Sequence, residues 1–147
     1  MCALFCQERR FLELCTMELQ REGYTYTVDT LRAFERMRKP DEKIYYIIGT
    51  DTLFLLATWK EHEVVLSGRL CAFLCVPRPG DAPAQVLQKQ QELQEKYGVE
   101  ILISSGQGPD ISSTKVREAF LAGEDVSGMV PGSILRFMEE NHVFQGA

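Results

Sequence analysis

Apolar and polar positions repeat along this chain with two different periods, and the switches between them mark out strands and helices. Phe11 to Leu19 reads as a first strand, ending in the polar Gln20-Arg21-Glu22-Gly23 turn. A helix is expected from Val28 to Arg38, where Leu31, Phe34 and Met37 form one apolar stripe. Thr27 is placed to cap its first turn, Asp29 suits the positive end of its dipole, and Pro40 forbids its continuation. Lys43 to Gly49 is the clearest strand, because its unbroken β-branched and aromatic run suits a strand covered on both faces.

The alternation continues to the end of the chain. Short helices are expected from Asp51 to Ala57 and again after Trp59, then a strand from Arg69 to Val76 closed by Pro77-Arg78-Pro79-Gly80. A helix from Ala84 to Tyr97 leads to a strand from Val99 to Ser104 and a loop from Ser105 to Pro109. Two last helices follow, Ser113 to Ala122 with Gly123 as its C-cap, and Gly132 to Asn141 with Pro131 near its start. Such alternation predicts an α/β fold, a doubly wound parallel sheet with right-handed crossovers and helices on both faces. No repeat, low-complexity tract or linker breaks it, so residues 1–147 read as a single domain.

Composition narrows what such a domain does. No apolar run approaches the roughly 20 residues that span a membrane. The segment from Met1 to Arg10 lacks the charged-then-apolar order of a secretion signal, and the expected location is the cytoplasm. A net charge of -5 speaks against non-specific nucleic-acid binding, which needs a basic surface. It leaves room for small anions held by a few local donors. The five cysteines, Cys2, Cys6, Cys15, Cys71 and Cys75, are odd in number and scattered, unlike a disulfide framework. Cys71 and Cys75 share a face of their strand and read as buried free thiols, with zinc binding a poor second. The only histidines, His62 and His142, lie in a polar helical stretch and in a last helical turn, so neither metal nor triad chemistry is expected.

In open α/β sheets, ligands sit beyond the carboxyl ends of the strands, so the residues following each strand carry the information. After the last strand, Ile111-Ser112-Ser113-Thr114-Lys115-Val116-Arg117 enters a helix. Serines and threonines cap helices, but capping does not require three hydroxyls followed by a same-face Arg117. Phosphate binding explains both, because the helix end favours an anion and a guanidinium binds phosphate oxygens in pairs. After the strand ending at Ile48 comes Gly49-Thr50-Asp51, where glycine allows close approach and Asp51 could accept from ribose hydroxyls. From the tripeptide alone, a simple N-cap is the commoner role for Asp51. Trp59 is the only tryptophan; such a residue is more often core than stacking platform. Tyr24-Thr25-Tyr26-Thr27 suits a pocket lining or a strand equally well. Arg78 could meet a phosphate, although exposed arginines in turns are common.

Taken in order, these segments resemble the bacterial nicotinate-nucleotide adenylyltransferases of the nucleotidylyltransferase superfamily. Gly23-Tyr24-Thr25-Tyr26-Thr27-Val28-Asp29-Thr30-Leu31 looks like the family's S-Y-T-x-D-T-L. Ile47-Ile48-Gly49-Thr50-Asp51 with Thr58-Trp59 is similar to its I-I-G-x-D…T-W, and Val76 to Gly80 to its strand-ending R-P-G. Ile111 to Arg117 resembles its I-S-S-T-x-x-R, and Val130-Pro131 with Val143-Phe144 fits its ending. The resemblance implies a Rossmann-like fold and a reaction in which ATP and nicotinate mononucleotide give deamido-NAD and pyrophosphate, with Mg²⁺ accompanying ATP. It implies that Ser112, Ser113, Thr114 and Arg117 hold ATP phosphates, with Arg117 the catalytic cation, and that Gly49 and Asp51 contact the adenosine side. Thr27, Trp59 and Arg78 fall to the mononucleotide, Trp59 stacking on or flanking the nicotinate ring and Thr27 with neighbouring backbone meeting its carboxylate. Homo-oligomerisation is left open.

Two departures from the family pattern stand out. Tyr24 occupies a position where the family often has serine. The family also opens with a strand and a G-x-F-x-P-x-H-x-G-H turn whose histidines contact the triphosphate, and no H-x-G-H occurs in this chain. The resemblance places Met1 well inside the family's fold, which implies a domain lacking its first strand and helix, a unit of order 30 residues or more. Three readings follow: an active adenylyltransferase represented by its larger C-terminal part; a non-catalytic or truncated nucleotide-binding remnant that needs a missing segment or partner chain; or a superfamily relative using another phosphate ester such as phosphopantetheine. Trp59 and the Tyr-Thr segment favour the nicotinate branch.

Overall fold

The computed structural model describes residues 1–144. Its helices are α1 (Cys2–Gln7), α2 (Thr27–Met37), α3 (Thr50–Leu55), α4 (His62–Val65), α5 (Pro83–Tyr97), α6 (Ser113–Leu121) and α7 (Gly132–Glu140). The strands are β1 (Tyr45–Gly49), β2 (Ala72–Val76) and β3 (Ile101–Ile103). These elements gather into two compact units, Met17–Pro109 and the pairing of Met1–Thr16 with the chain from Asp110 on. No helix among the described residues is long and apolar enough to cross a membrane.

The Met17–Pro109 unit holds the sheet. Its three strands are all parallel and lie in the order β1-β2-β3, advancing one strand per helical crossover. This is the Rossmann-like α/β class that the pattern predicts. Phe73 and Cys75, on one face of β2, are fully buried, and Ala72 is buried on the other. Around them pack Val28 and Leu31 from α2, Leu53 from α3, Val65 from α4, and Val86 and Leu93 from α5. Helix α5 begins at Pro83, whose fixed φ and missing N–H suit a first turn. Its Gln90 side-chain amide donates to the Ile101 carbonyl (2.6 Å), and the Ile101 N–H donates to the side-chain oxygen of Gln94 (3.0 Å). The helix thereby satisfies backbone groups of an edge strand that would otherwise stay open to pairing.

One expected element is absent. Phe11 to Leu19 is not a strand: residues 11–16 have no regular structure, and Met17–Gln20 is a 3₁₀ turn. Apolar alternation makes a strand only where a neighbouring ladder accepts it, and here Phe11 and Leu19 stay more than four-fifths exposed. The turn is tied instead to α2. The Thr30 hydroxyl donates to the Glu18 carboxylate (2.6 Å) and accepts from the Arg21 guanidinium (2.7 Å). Nor does Thr27 cap α2. It is the helix's first residue, and the Tyr26 carbonyl accepts the N–H groups of Asp29 and Thr30.

In the other unit, the core includes Val126, Ile134 and Met138. Helix α6 ends as its glycine foretold: Gly123 N–H donates to the Phe120 carbonyl (3.1 Å) and Glu124 N–H to the Ala119 carbonyl (2.9 Å), a Schellman closure. His142 lies past the end of α7 rather than inside its last turn.

Cys71, just before β2, and Cys75 within it are buried and unpaired, as expected of them. Burial pushes the Cys71 thiol up to about 12, and it also raises Cys75. Iodoacetamide at neutral pH should therefore label the exposed Cys2 and Cys15 in the native protein and reach Cys71 and Cys75 only in denaturant, as peptide mass spectrometry would show. Leu93→Ala should lower the unfolding free energy by about 2–5 kcal/mol in chemical denaturation, and Leu87→Ala, at an exposed position of the same helix, by about 0.5 kcal/mol or less.

Candidate functional site

The parallel register sets Gly49, the last residue of β1, level with Val76, the last of β2. The turns that follow therefore emerge side by side at the carboxyl ends of the strands. A Cβ on Gly49 would lie 2.7 Å from Asp51 Oδ1 and 3.7 Å from Arg78 Nη2, so a side chain here would push the exposed Asp51 carboxylate out of the position it holds over the main chain. Asp51 Oδ2 and Arg78 Nη1 are 3.8 Å apart, and both side chains are mostly exposed. Sequence reasoning proposed Gly49, Asp51 and Arg78 separately; the structure brings them together.

Two residues that the sequence reading missed brace this group. Arg78-Pro79-Gly80-Asp81 is a β-turn closed by the Asp81 N–H on the Arg78 carbonyl (3.2 Å). Proline at its second position and Gly80 at its third, with φ +93°, give it type II geometry. The Asp81 carboxylate accepts the Arg78 N–H in return (2.6 Å) and also accepts from the hydroxyl of buried Thr50. Those two hydrogen bonds, Thr50's the larger, and the nearby Arg78 charge hold the Asp81 carboxyl below the usual aspartate range. A cleft of about 260 Å³ opens beyond β2 and β3, lined by Pro77, Asp81, Val86, Ile103, Ser104 and Gln107 among others. Its loop is tied back by the Gly108 N–H on the Pro77 carbonyl (2.8 Å). The available signal was the aspartate three places after Arg78, at a spacing where side chains commonly bond turn backbone.

Thr27 and Trp59 lie on segments that face each other. The Lys60 ammonium stands 3.9 Å from the centroid of the Tyr26 ring. Next to it, Arg32 of α2 grips Glu61 through paired contacts of 2.6 and 3.3 Å. That grip holds the Glu61 carboxyl below its ordinary value and stabilises a residue whose φ of +51° lies in the left-handed region. Trp59 itself is half-buried. It meets the Tyr46 ring edge-on at 6.0 Å and packs against the core, which anchors it firmly whatever its other face does.

Ser112, Ser113, Thr114 and Arg117 sit together in the other unit. Ser112 is the N-cap of α6, its hydroxyl accepting the Lys115 N–H (3.1 Å). The Ser113 and Thr114 hydroxyls are exposed and make no hydrogen bond among the described residues. Arg117, on the same helix, stands 5.5 Å over the Phe144 ring and forms no ion pair among the described residues. Lys115, by contrast, is paired with Asp110 at 2.8 Å. The segment thus combines a capped helix start with hydroxyls and a guanidinium whose bonding capacity is unspent, a set of donors suited to an anion.

No family model matches the chain. Individual proteins do. The chain is 31% identical over 140 residues to a protein of Clostridium botulinum (strain Kyoto / Type A2), a match covering 95% of this chain and 68% of that protein. It is 30% identical over 135 residues to one of Thermoanaerobacter sp. (strain X514), covering 92% and 63%. It is 32% identical over 132 residues to one of Halalkalibacterium halodurans, covering 90% and 58%. Each of the three is named a probable nicotinate-nucleotide adenylyltransferase, and the chain spans about two thirds or less of their length. Likeness over nearly the whole chain, joined to a parallel sheet with the family's G-x-D and R-P-G turns paired at its strand ends, means that the chain belongs to the nicotinate-nucleotide adenylyltransferase family.

Proposed function

We propose that the complete protein transfers the adenylyl group of Mg²⁺-bound ATP to nicotinate mononucleotide in the cytoplasm, giving deamido-NAD and pyrophosphate. A phosphate oxygen of the mononucleotide attacks the α-phosphorus of ATP. The bond from that phosphorus to the bridging oxygen breaks, and pyrophosphate leaves with the electron pair. No covalent enzyme intermediate is needed, so catalysis consists of positioning the two phosphates and neutralising their charge. The observation that carries this reading is the group at the strand ends, where Gly49 leaves room and Asp51 and Arg78 offer an acceptor and a cation side by side.

In this reading Asp51 accepts from the ribose of ATP, with the Gly49 backbone close beneath. The hydroxyls of Ser112, Ser113 and Thr114 bind triphosphate oxygens. Arg117 supplies the positive charge that the departing pyrophosphate requires. Thr27 and Trp59 receive the nicotinate ring, and Arg78 lies toward the mononucleotide. The absence of H-x-G-H from these 147 residues favours a second reading beside the first: this chain binds nucleotide, and turnover needs a segment or partner chain that brings the histidines.

Pyrophosphate release by the purified 147-residue chain, given ATP, Mg²⁺ and nicotinate mononucleotide, separates the two. Release that disappears in Arg117→Ala supports turnover by this chain. ATP binding without release supports the second reading, and a folded protein that neither binds ATP nor releases pyrophosphate contradicts both. Arg117→Ala should weaken ATP binding by about 1.5–3 kcal/mol, the scale of a charge-assisted hydrogen bond, measured by calorimetry. Trp59→Ala should weaken nicotinate mononucleotide binding more than ATP binding; equal losses would make the residue a packing element only.

A further inference from the structure

A cation kept for a ligand has to be aimed. Arg78 lies in a surface turn, the kind of segment that moves most freely. Its partner Asp51 stands 3.8 Å away and is as exposed as Arg78 itself, and such a pair contributes too little to hold either side chain in place. The aim must come from the main chain of the turn.

That turn is fastened on both sides of Arg78. Before it, the Pro77 carbonyl accepts the Gly108 N–H (2.8 Å). After it, the Asp81 carboxylate accepts the Arg78 N–H (2.6 Å) and the Thr50 hydroxyl. Thr50 is a rigid anchor, because it is only 3% exposed and opens α3 directly after β1. Asp81 has no other task among the described residues. It stands just before α5, where aspartates often cap, yet Ala82 is the N-cap there and no side chain caps the helix. Both bonds to Asp81 fall on one oxygen, Oδ2, and both serve the Arg78 turn. Bonds to an ionised acceptor are about twice as strong as neutral ones. Thr50 and the Arg78 N–H keep Asp81 ionised by holding its carboxyl below the usual aspartate range. Thr50 also lies between Gly49 and Asp51 in the chain. The Thr50–Asp81 bond therefore joins the turn that carries the acceptor to the turn that carries the cation, which the exposed Asp51 and Arg78 side chains do only weakly themselves.

We propose that Thr50 and Asp81 are positioning residues, a latch between the two strand-end turns that aims Arg78 at the bound mononucleotide. The inference rests on the reading that Arg78 lies toward the mononucleotide, and adds to it how that place is kept. A guanidinium aligned before binding spares the ligand the cost of ordering it.

The test is the affinity of the 147-residue chain for nicotinate mononucleotide, measured by calorimetry in the wild type, Thr50→Val, Thr50→Ser, Asp81→Ala and Arg78→Ala. Thr50→Val and Asp81→Ala are each also combined with Arg78→Ala. Thr50→Val keeps the buried volume and removes the hydroxyl, so it should weaken binding about threefold to tenfold, and Asp81→Ala should do the same. Thr50→Ser, which keeps the hydroxyl, should bind as the wild type does. In the Arg78→Ala background neither change should weaken binding further, because no guanidinium is left to aim. A residue that only supported the fold would weaken binding in both backgrounds. Asp81 lies in a surface turn, so its variants carry the test should Thr50→Val not fold. If Thr50→Val and Asp81→Ala bind as the wild type does, or weaken binding equally with and without Arg78, the latch does not position Arg78, although the mononucleotide reading stands. If Arg78→Ala binds like the wild type, or the wild type does not bind at all, the reading of Arg78 fails and the latch fails with it.

Discussion

The parallel ladder between β1 and β2 is the constraint on which the candidate site depends. Because Gly49 is paired with Val76, the turns beginning at Thr50 and Pro77 leave the sheet at the same height. The contacts across them follow from that register: Asp51 to Arg78, and Thr50 to Asp81. A slip of one residue would send each side chain to the opposite face and separate all four. What fixes the register is the apolar packing of the central strand, whose Phe73 and Cys75 are buried by the helices. The chemistry at the strand ends is thus set by burial several residues away.

A second alignment works by a different physical means. The junction at Trp59-Lys60-Glu61 is joined to α2 by a guanidinium fork and by an ammonium on a ring face, both near the surface. Surface ion pairs contribute little to stability. Their effect here is orientation. Trp59 is anchored inward against Tyr46, and the next two side chains are held outward toward α2, so neighbouring residues are committed to opposite tasks.

How much of this could be read from the sequence depended on whether the controlling interaction was local. The closing of α6 at Gly123 was legible because glycine acts through its own backbone angles, and the helix read from Ala84 to Tyr97 was found to begin one residue earlier, at Pro83. Gly49, Asp51, Arg78 and the Ser112–Arg117 segment were legible as candidates because each follows a strand or opens a helix. Phe11 to Leu19 was misread because alternation describes one side of a strand pair and says nothing of the partner. Thr50 with Asp81, and Lys60 with Tyr26, escaped notice for a related reason. Each pair joins residues roughly thirty positions apart, brought together only by the crossovers of the sheet.

The glycine at the end of β1 has one more consequence. The floor beneath Asp51 and Arg78 is main chain, with no side chain of its own. Main chain is indifferent to most substitutions around it, whereas the groups standing on it can be exchanged without repacking a core. A platform of this kind separates the evolution of what is recognised from the evolution of what is folded. Relatives could change their ligands at the rim while the ladder underneath stayed as it was.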